Sequence, residues 1–157
     1  MEEDMMEEDM IGGKQDEPID SGVTEPPRIR VGAIQSQRGP RILVIADDPD
    51  FGDWLLDEFR HADSAVALAT SGKDVLDLLR SGLVDVVISE MGLHDLPGMD
   101  LLRELQSMPK MPKVILTTCH HSDFLESRAI ENGASAVLCK PFRIEQLFAS
   151  IAHALGN

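Results

Sequence analysis

Residues 84–98 read Val84-Asp85-Val86-Val87-Ile88-Ser89-Glu90-Met91-Gly92-Leu93-His94-Asp95-Leu96-Pro97-Gly98, and this stretch decides the fold. Its β-branched run is typical of a strand buried on both faces of a parallel sheet. Gly92, Pro97 and Gly98 then indicate a loop. Glu90 stands where the strand ends, and in an open α/β sheet ligands collect outside the carboxyl ends of the strands. The stretch therefore predicts a parallel sheet with a carboxylate at its functional edge.

Strands and amphipathic helices alternate on both sides of this stretch. Apolar runs at 42–46, 65–69, 113–117 and 134–139 predict four further strands. Helices are predicted after them, the first capped by Asp50 and carrying Phe51, Trp54 and Phe59 on a core-facing side. Such alternation implies parallel strands joined by right-handed crossovers. The sequence predicts an α/β fold, a flavodoxin-like (βα)5 doubly wound five-stranded parallel sheet of order 2-1-3-4-5.

Residues 1–40 differ in composition from the rest of the chain. They hold ten acidic and four basic residues, a net charge of -6, with frequent Gly and Pro and no apolar periodicity. A segment of this kind cannot offset the entropy cost of ordering. We therefore predict a disordered acidic N-terminal extension at 1–40 and one folded domain at 41–157. The apolar patch at 29–34 leaves an alternative open, since it could pack locally or bind a partner.

The charge and the cysteines exclude several classes of protein. A net charge of -14 argues against binding to nucleic acid or to anionic membranes, which both require Lys and Arg. The N-terminus has no signal peptide, and no apolar run is long enough to span a bilayer. Two cysteines, Cys119 and Cys139, are too few for a disulfide scaffold and favour a reducing compartment, so the predicted location is cytoplasmic.

Polar residues follow the predicted strands at the same end of the sheet. Asp47 and Asp48 follow the first strand, and Glu90 ends the third. Thr117 ends the fourth strand and Lys140 follows the fifth. Because parallel strands end at one edge, we expect these side chains to meet in one crevice.

Four segments of the sequence stand in order at these strand ends. They are Ile42-Leu43-Val44-Ile45-Ala46-Asp47-Asp48-Pro49, Val86-Val87-Ile88-Ser89-Glu90 with Gly98, Val114-Ile115-Leu116-Thr117-Thr118, and Gly133-Ala134-Ser135-Ala136-Val137-Leu138-Cys139-Lys140-Pro141-Phe142. In these segments, residues 41–157 resemble the receiver domain of bacterial two-component response regulators, the CheY-like superfamily. The resemblance implies an aspartyl phosphate at the end of the third strand, with Asp47 as a carboxylate ligand of a divalent metal. It also implies that Thr117 is the switching hydroxyl, that Lys140 faces the phosphate and that the Lys140–Pro141 bond is cis.

Four positions depart from the family pattern. Glu90 replaces the phosphoaccepting Asp, Ala46 the first acid of the pair, Val137 an aromatic residue, and His94 a proline. The extra methylene of Glu moves its carboxylate by about 1.5 Å, and a misplacement of that size can cost about a hundredfold in rate. A Mg²⁺ ion held by Asp47 and Glu90 is possible but weakened by Ala46, so no cofactor is required.

Two functions from different classes follow. The first is a stand-alone atypical receiver, a binding module and not an enzyme, in which Glu90 is a fixed charge in place of aspartyl phosphate. It would contact a histidine kinase, phosphotransferase or downstream effector through the face from Ser122 to Leu155. The acidic tail would either steer a basic partner or act in autoinhibition. The alternative is a single-domain response regulator with residual Mg²⁺-dependent phosphorylation. Weaker readings are a small flavodoxin-like ligand binder and a transition-metal site at His94, Cys119, His120 and His121.

Overall fold

The computed structural model describes residues 29–34, 39–62 and 64–156. Its strands are β1 (Ile29–Ile34), β2 (Arg41–Ile45), β3 (Ala65–Ala69), β4 (Val86–Glu90), β5 (Lys113–Thr118) and β6 (Ala136–Cys139). Its helices are α1 (Pro49–Glu58), α2 (Leu76–Arg80), α3 (Gly98–Gln106), α4 (Asp123–Glu131) and α5 (Ile144–Ala154). A short 3₁₀ turn at Phe59–His61 follows α1, and another at Lys73–Val75 precedes α2.

The strands form one sheet in the order β1-β3-β2-β4-β5-β6. The five strands from β2 to β6 are parallel, and counted among themselves they have the order 2-1-3-4-5. The predicted flavodoxin-like topology is therefore confirmed. It places the carboxyl ends of β2, β4, β5 and β6 side by side at one edge.

The alternating side chains of the central strands divide the core into two layers. Leu43 and Ile45 of β2 pack toward the layer that contains residues of α2 and α3, whereas Ile42 and Val44 pack toward the layer with residues of α1 and α5. All four side chains are at most 3% exposed. Because both faces of the sheet are covered, the strands read as continuous apolar runs in the sequence.

An additional strand extends the sheet beyond the predicted five. The backbone of β1 pairs antiparallel with β3, with Ile29 opposite Ala69 and Val31 opposite Ala67, and the register shifts between Val31 and Ile34. The open alternative of local packing is thus observed for these six residues, which contribute an edge strand. Residues 1–28 and 35–38 lie outside the described residues, so the disorder of the remaining extension stays a prediction.

The first helix begins earlier than predicted. Asp48, not Asp50, is the N-cap, and its Oδ1 accepts a hydrogen bond of 3.0 Å from the Asp50 amide. Pro49 occupies the first helical position, where its fixed φ suits the helix and its missing N–H costs nothing. Helix α4 has Asn132 as its C-cap, and Gly133 follows with a φ of 105°, a conformation that favours glycine. Among the described residues, no helix has the length and apolarity needed to cross a membrane.

An ion pair joins the start of β2 to the residue before β4, at the edge opposite the crevice. The Asp85 carboxylate accepts hydrogen bonds from the Arg41 amide at 2.8 Å and from Arg41 Nε and Nη2 at 3.0 Å each. These bonds, led by those from the guanidinium, hold the pKa of the Asp85 carboxyl below its ordinary value. The pair therefore stabilises the fold only where Asp85 is ionised.

We expect Asp85→Asn to lower the free energy of unfolding by about 1 kcal/mol at neutral pH, because the side chain is partly exposed and water screens the pair. A depressed folded-state pKa contributes stability above the unfolded pKa, and this stability is lost as the pH falls through the folded value. The difference between wild type and variant should therefore shrink below about pH 4. Urea unfolding from pH 7 to pH 2.5 measures it, and a difference independent of pH would contradict the assignment.

Candidate functional site

The crevice at the carboxyl edge brings together most of the predicted polar residues. Glu90 is the last residue of β4 and lies opposite Thr117 in the register of β4 and β5. Asp47 follows β2 and Lys140 follows β6. Three of them, Asp47, Glu90 and Lys140, are in direct hydrogen-bond contact. Lys140 and Glu90 meet through their side chains, whereas Asp47 reaches Glu90 through its backbone amide.

Both carboxylate oxygens of Glu90 are engaged by the protein itself. Lys140 Nζ donates to Glu90 Oε2 at 2.6 Å, and the Asp47 backbone N–H donates to Oε1 at 3.0 Å. The side chains of Lys140 and Glu90 are only 18% and 12% exposed. The pair is therefore a largely buried, charge-assisted contact and not a surface salt bridge.

An aromatic ring supports Lys140 from its other side. Lys140 Nζ lies 3.6 Å from the centroid of the Phe51 ring, within the range of a cation–π interaction. Phe51 in turn packs against Trp54 and Phe142, with ring centroids 6.0 and 6.1 Å away. The prediction that Trp54 belongs to the core was wrong, since 37% of it is exposed. The role of Phe51 was missed, because its helical spacing predicts only packing.

The Thr117 hydroxyl is buried beside this pair without a partner. Thr117 is 1% exposed, and its Oγ1 makes no hydrogen bond in the part of the chain that the structure describes. A buried hydroxyl without a partner costs free energy. The Glu90 carboxylate thus engages Lys140 and the Asp47 amide but not Thr117. Val137, which replaces the aromatic residue of the family pattern, lies in β6 opposite Leu116 of β5.

The two acidic residues after β2 have different roles. Asp47 Oδ2 accepts a hydrogen bond of 3.2 Å from the His94 amide, and His94 Nε2 is 3.7 Å from the same oxygen. Asp48 is exposed, and its carboxylate caps α1. Asp48 therefore does not join Asp47 in an acidic pocket, as the sequence had predicted, because the helix start uses its side chain.

The residues present do not form a prepared site for the divalent metal that the fold implies. Mg²⁺ takes oxygen ligands in a near-octahedral arrangement. Ala46 offers no oxygen from its side chain and is 1% exposed. Both Glu90 oxygens are already engaged, and one Asp47 oxygen receives the His94 amide. The donor set that remains is too small for a strong Mg²⁺ site without rearrangement.

Asp95 anchors the loop that follows β4 to residues 71–73. The sequence did not predict this role. The Asp95 carboxylate accepts hydrogen bonds from the Ser71 hydroxyl and from the amides of Gly72 and Lys73, the latter two at 3.1 and 3.0 Å. Burial alone would raise the pKa of the Asp95 carboxyl, but these bonds outweigh it and lower the pKa. No local pattern in the sequence indicates a contact across 24 residues.

The Cys and His residues near the crevice do not gather into one metal site. Cys119 and Cys139 are free and exposed. His94 lies beside Asp47, whereas the ligand atoms of His121, Asp123 and Glu126 lie within 4.8 Å of one another. That second group lies at the start of α4, on the surface, and contains neither His94 nor a cysteine.

Comparisons with known proteins point to one family. Residues 42–152 match the model of the response regulator receiver domain. The transcriptional regulatory protein BaeR of Escherichia coli O6:H1 is 29% identical over 112 residues, 71% of this chain and 46% of that protein. The DNA-binding transcriptional regulator NtrC of Klebsiella pneumoniae is 30% identical over 122 residues, 77% of this chain and 26% of that protein. The chain thus spans half or less of these two relatives.

A solved structure supports the same assignment. The response regulator receiver domain protein from Clostridium thermocellum is 28% identical, with a TM-score of 0.70, over 75% of this chain and 95% of that one. In this chain the Lys140–Pro141 peptide bond is cis, the isomer that the resemblance implies.

Proposed function

The chain belongs to the response regulator receiver domain family, and from that premise we propose that it signals by protein–protein contact without being phosphorylated, with Glu90 as a fixed charge in place of aspartyl phosphate. The observation that carries this proposal is the 2.6 Å contact between Glu90 and Lys140. In the family the equivalent Lys faces the phosphoryl group. In this chain the partner of Lys140 is the Glu90 carboxylate instead. The longer Glu side chain thus places one negative charge against Lys140, where the resemblance puts the phosphoryl group.

The fixed charge reproduces only part of a phosphoryl group. Glu supplies one negative charge and two oxygens, whereas a phosphoryl group carries about -1.5 to -2 charges and three terminal oxygens. Two of the available contacts, to Lys140 and to the Asp47 amide, are made. The Thr117 hydroxyl has no partner among the described residues. We therefore infer a constant bias toward an active-like crevice, since a fixed charge cannot itself transmit a signal.

The proposed partner is a signalling protein of a two-component pathway, a histidine kinase, a phosphotransferase or a downstream effector. The proposed contact surface runs from Ser122 to Leu155, over α4, β6 and α5. Phe124 is 67% exposed there, and Leu125 and Ile130 are 39% and 46% exposed. Large exposed apolar side chains grouped on one helix are typical of an interaction surface. No Mg²⁺ is required in this proposal.

Phosphorylation of the wild type tests this proposal. We expect no covalent label when the protein is incubated with radiolabelled acetyl phosphate and Mg²⁺, because the nucleophile is misplaced and the metal site incomplete. A receiver with an Asp phosphoacceptor serves as the positive control in the same reaction. Label on the wild type that Glu90→Gln abolishes would reject the fixed-charge function.

The alternative function, a receiver that accepts phosphate on Glu90 with residual Mg²⁺, has one observation in its favour. The buried Thr117 hydroxyl is free to donate to an additional oxygen. Beryllofluoride with Mg²⁺ forms an analogue of the acyl phosphate, so a titration followed by amide NMR separates the two functions. Widespread shifts around Thr117 would favour the alternative, and unchanged spectra the fixed charge.

A further inference from the structure

A cavity of about 290 Å³ opens between the start of α4, the end of β6 and the turn into α5. Leu125 and Glu126 of α4 form one wall, and Val137 and Cys139 of β6 form another. Phe142 closes the side toward α5. The cavity lies next to the crevice, on the face that we propose as the partner surface.

The size and the lining of the cavity suit one aromatic ring. An apolar cavity of 150 Å³ is enough to hold benzene, and sites for drug-sized ligands begin at about 300 Å³. Met91, Leu125, Val137 and Phe142 supply apolar surface. The lining also includes six polar side chains: Thr118, His120, His121, Ser122, Glu126 and Gln146. A ring with apolar faces and one hydrogen-bonding group, such as phenol, suits this mixed lining.

The charge around the cavity favours a cationic ligand. Glu126 is the only acidic residue in its lining, which includes no Lys or Arg among the described residues. Asp123 stands at the start of the same helix, and its Oδ1 lies 3.0 Å from Nε2 of His121, which lines the cavity. Arg128 lies over the ring of Phe124, 5.7 Å from its centroid, and neither of them lines the cavity. With a chain charge of -14, a basic ligand is attracted and an acidic one repelled.

We propose that this cavity binds an aromatic side chain carried by a basic segment of the partner protein. The inference rests on the proposed function, because it names the chemistry of the partner for that same surface. A protein segment suits the site better than a free small molecule, since Phe124 and Leu125 extend the apolar surface beyond the cavity and are 67% and 39% exposed. The ring anchors the segment, and its basic neighbours face the acidic side chains of α4.

Short peptides test the proposal on the full chain. Acetyl-Lys-Tyr-Lys-amide is titrated and followed by amide NMR, with acetyl-Lys-Ala-Lys-amide and acetyl-Glu-Tyr-Glu-amide as controls. We expect shifts at Leu125, Val137 and Cys139 with the first peptide, and at least about tenfold weaker binding of each control, because each loses one of the two interactions. Equal binding of the alanine peptide, or shifts elsewhere only, would overturn the proposal.

Variants of the protein give a second test. Val137→Phe fills the cavity from inside and should weaken the Lys-Tyr-Lys peptide at least about tenfold. Glu126→Gln should weaken it about threefold, because the charge is partly exposed. Glu131→Gln is the matched control, since Glu131 is exposed on the same helix but does not line the cavity. If Val137→Phe fails to fold, the peptide affinities of Glu126→Gln and Glu131→Gln are compared instead. Equal affinities of these two variants would overturn the proposal.

Two further arms separate this inference from the function on which it rests. Tyramine offers the same phenol and ammonium as a free molecule, and binding as tight as that of the peptide would reject a protein segment as the ligand. The acetyl phosphate assay on the same samples is independent of the cavity. If the wild type is labelled by acetyl phosphate and still binds the peptide, only the fixed-charge function is overturned. If the wild type is neither labelled nor binds the peptide, only the cavity proposal is overturned.

Discussion

The double variant Ala46→Asp/Glu90→Asp becomes labelled by acetyl phosphate in the presence of Mg²⁺, at a rate at least about a hundredfold above that of the wild type. The shorter side chain at position 90 withdraws its carboxylate by about 1.5 Å, the length of one methylene, and so no longer reaches as far toward Lys140. The new carboxylate at position 46 joins Asp47 as a second oxygen ligand for the metal. The obstacles at positions 46 and 90 are then removed.

The label is measured with radiolabelled acetyl phosphate, and its lability in hydroxylamine identifies an acyl phosphate. The matched control is Ala46→Asp/Glu90→Asn, which keeps the shape of the crevice and the metal ligand but has no nucleophile. A chelator should abolish the label of the first variant, because the metal site is then empty. If the double variant stays unlabelled although folded, the position of the Glu90 carboxylate is not what prevents phosphorylation, and the contact of His94 with Asp47 becomes the next obstacle to remove.

The sequence predicted the parts of this fold that depend on local patterns. Buried β-branched runs and helical periodicity are properties of neighbouring residues, and they were enough to locate the five parallel strands. The order of the strands followed from the fold that alternating strands and helices imply. The strand β1 was not predicted, because its six residues lie within an acidic segment rich in Gly and Pro. Its formation depends on the free edge of β3, which is a property of the assembled sheet.

The site shows the same division between local and distant information. Glu90 and Lys140 could be placed at strand ends from the sequence, since the topology sets where strands end. Two other contacts could not be predicted from the sequence. They are the cation–π contact of Lys140 with Phe51 and the hydrogen bonds that Asp95 accepts from residues 71–73. Both depend on loop conformations and on side-chain rotamers. Asp48 was misplaced for a smaller reason, as two acids near a helix start compete for one cap and Pro49 decides between them.

Lys140→Met should destabilise the protein by about 2–3 kcal/mol, because it leaves the Glu90 carboxylate in a largely buried crevice without its counter-charge. The expected loss lies below that of a fully buried pair, since the two side chains keep 18% and 12% exposure. Among the described residues, the backbone N–H of Asp47 then remains as the one donor to the Glu90 carboxylate. Urea unfolding at pH 7 measures the change, provided that the slope with denaturant is unaltered.

Two companion variants show whether the loss comes from the pair. Lys113→Met removes an exposed lysine at the start of β5 and should change the free energy of unfolding by no more than about 0.5 kcal/mol. Glu90→Gln/Lys140→Met removes both charges and should recover most of the loss, because no buried charge is then left uncompensated. If Lys140→Met behaved like Lys113→Met, the Glu90 charge would be solvated on its own and could not bias the crevice. A large loss that the double variant recovers requires that Lys140 and Glu90 neutralise each other, which is the condition under which a carboxylate can stand where the phosphoryl group would be.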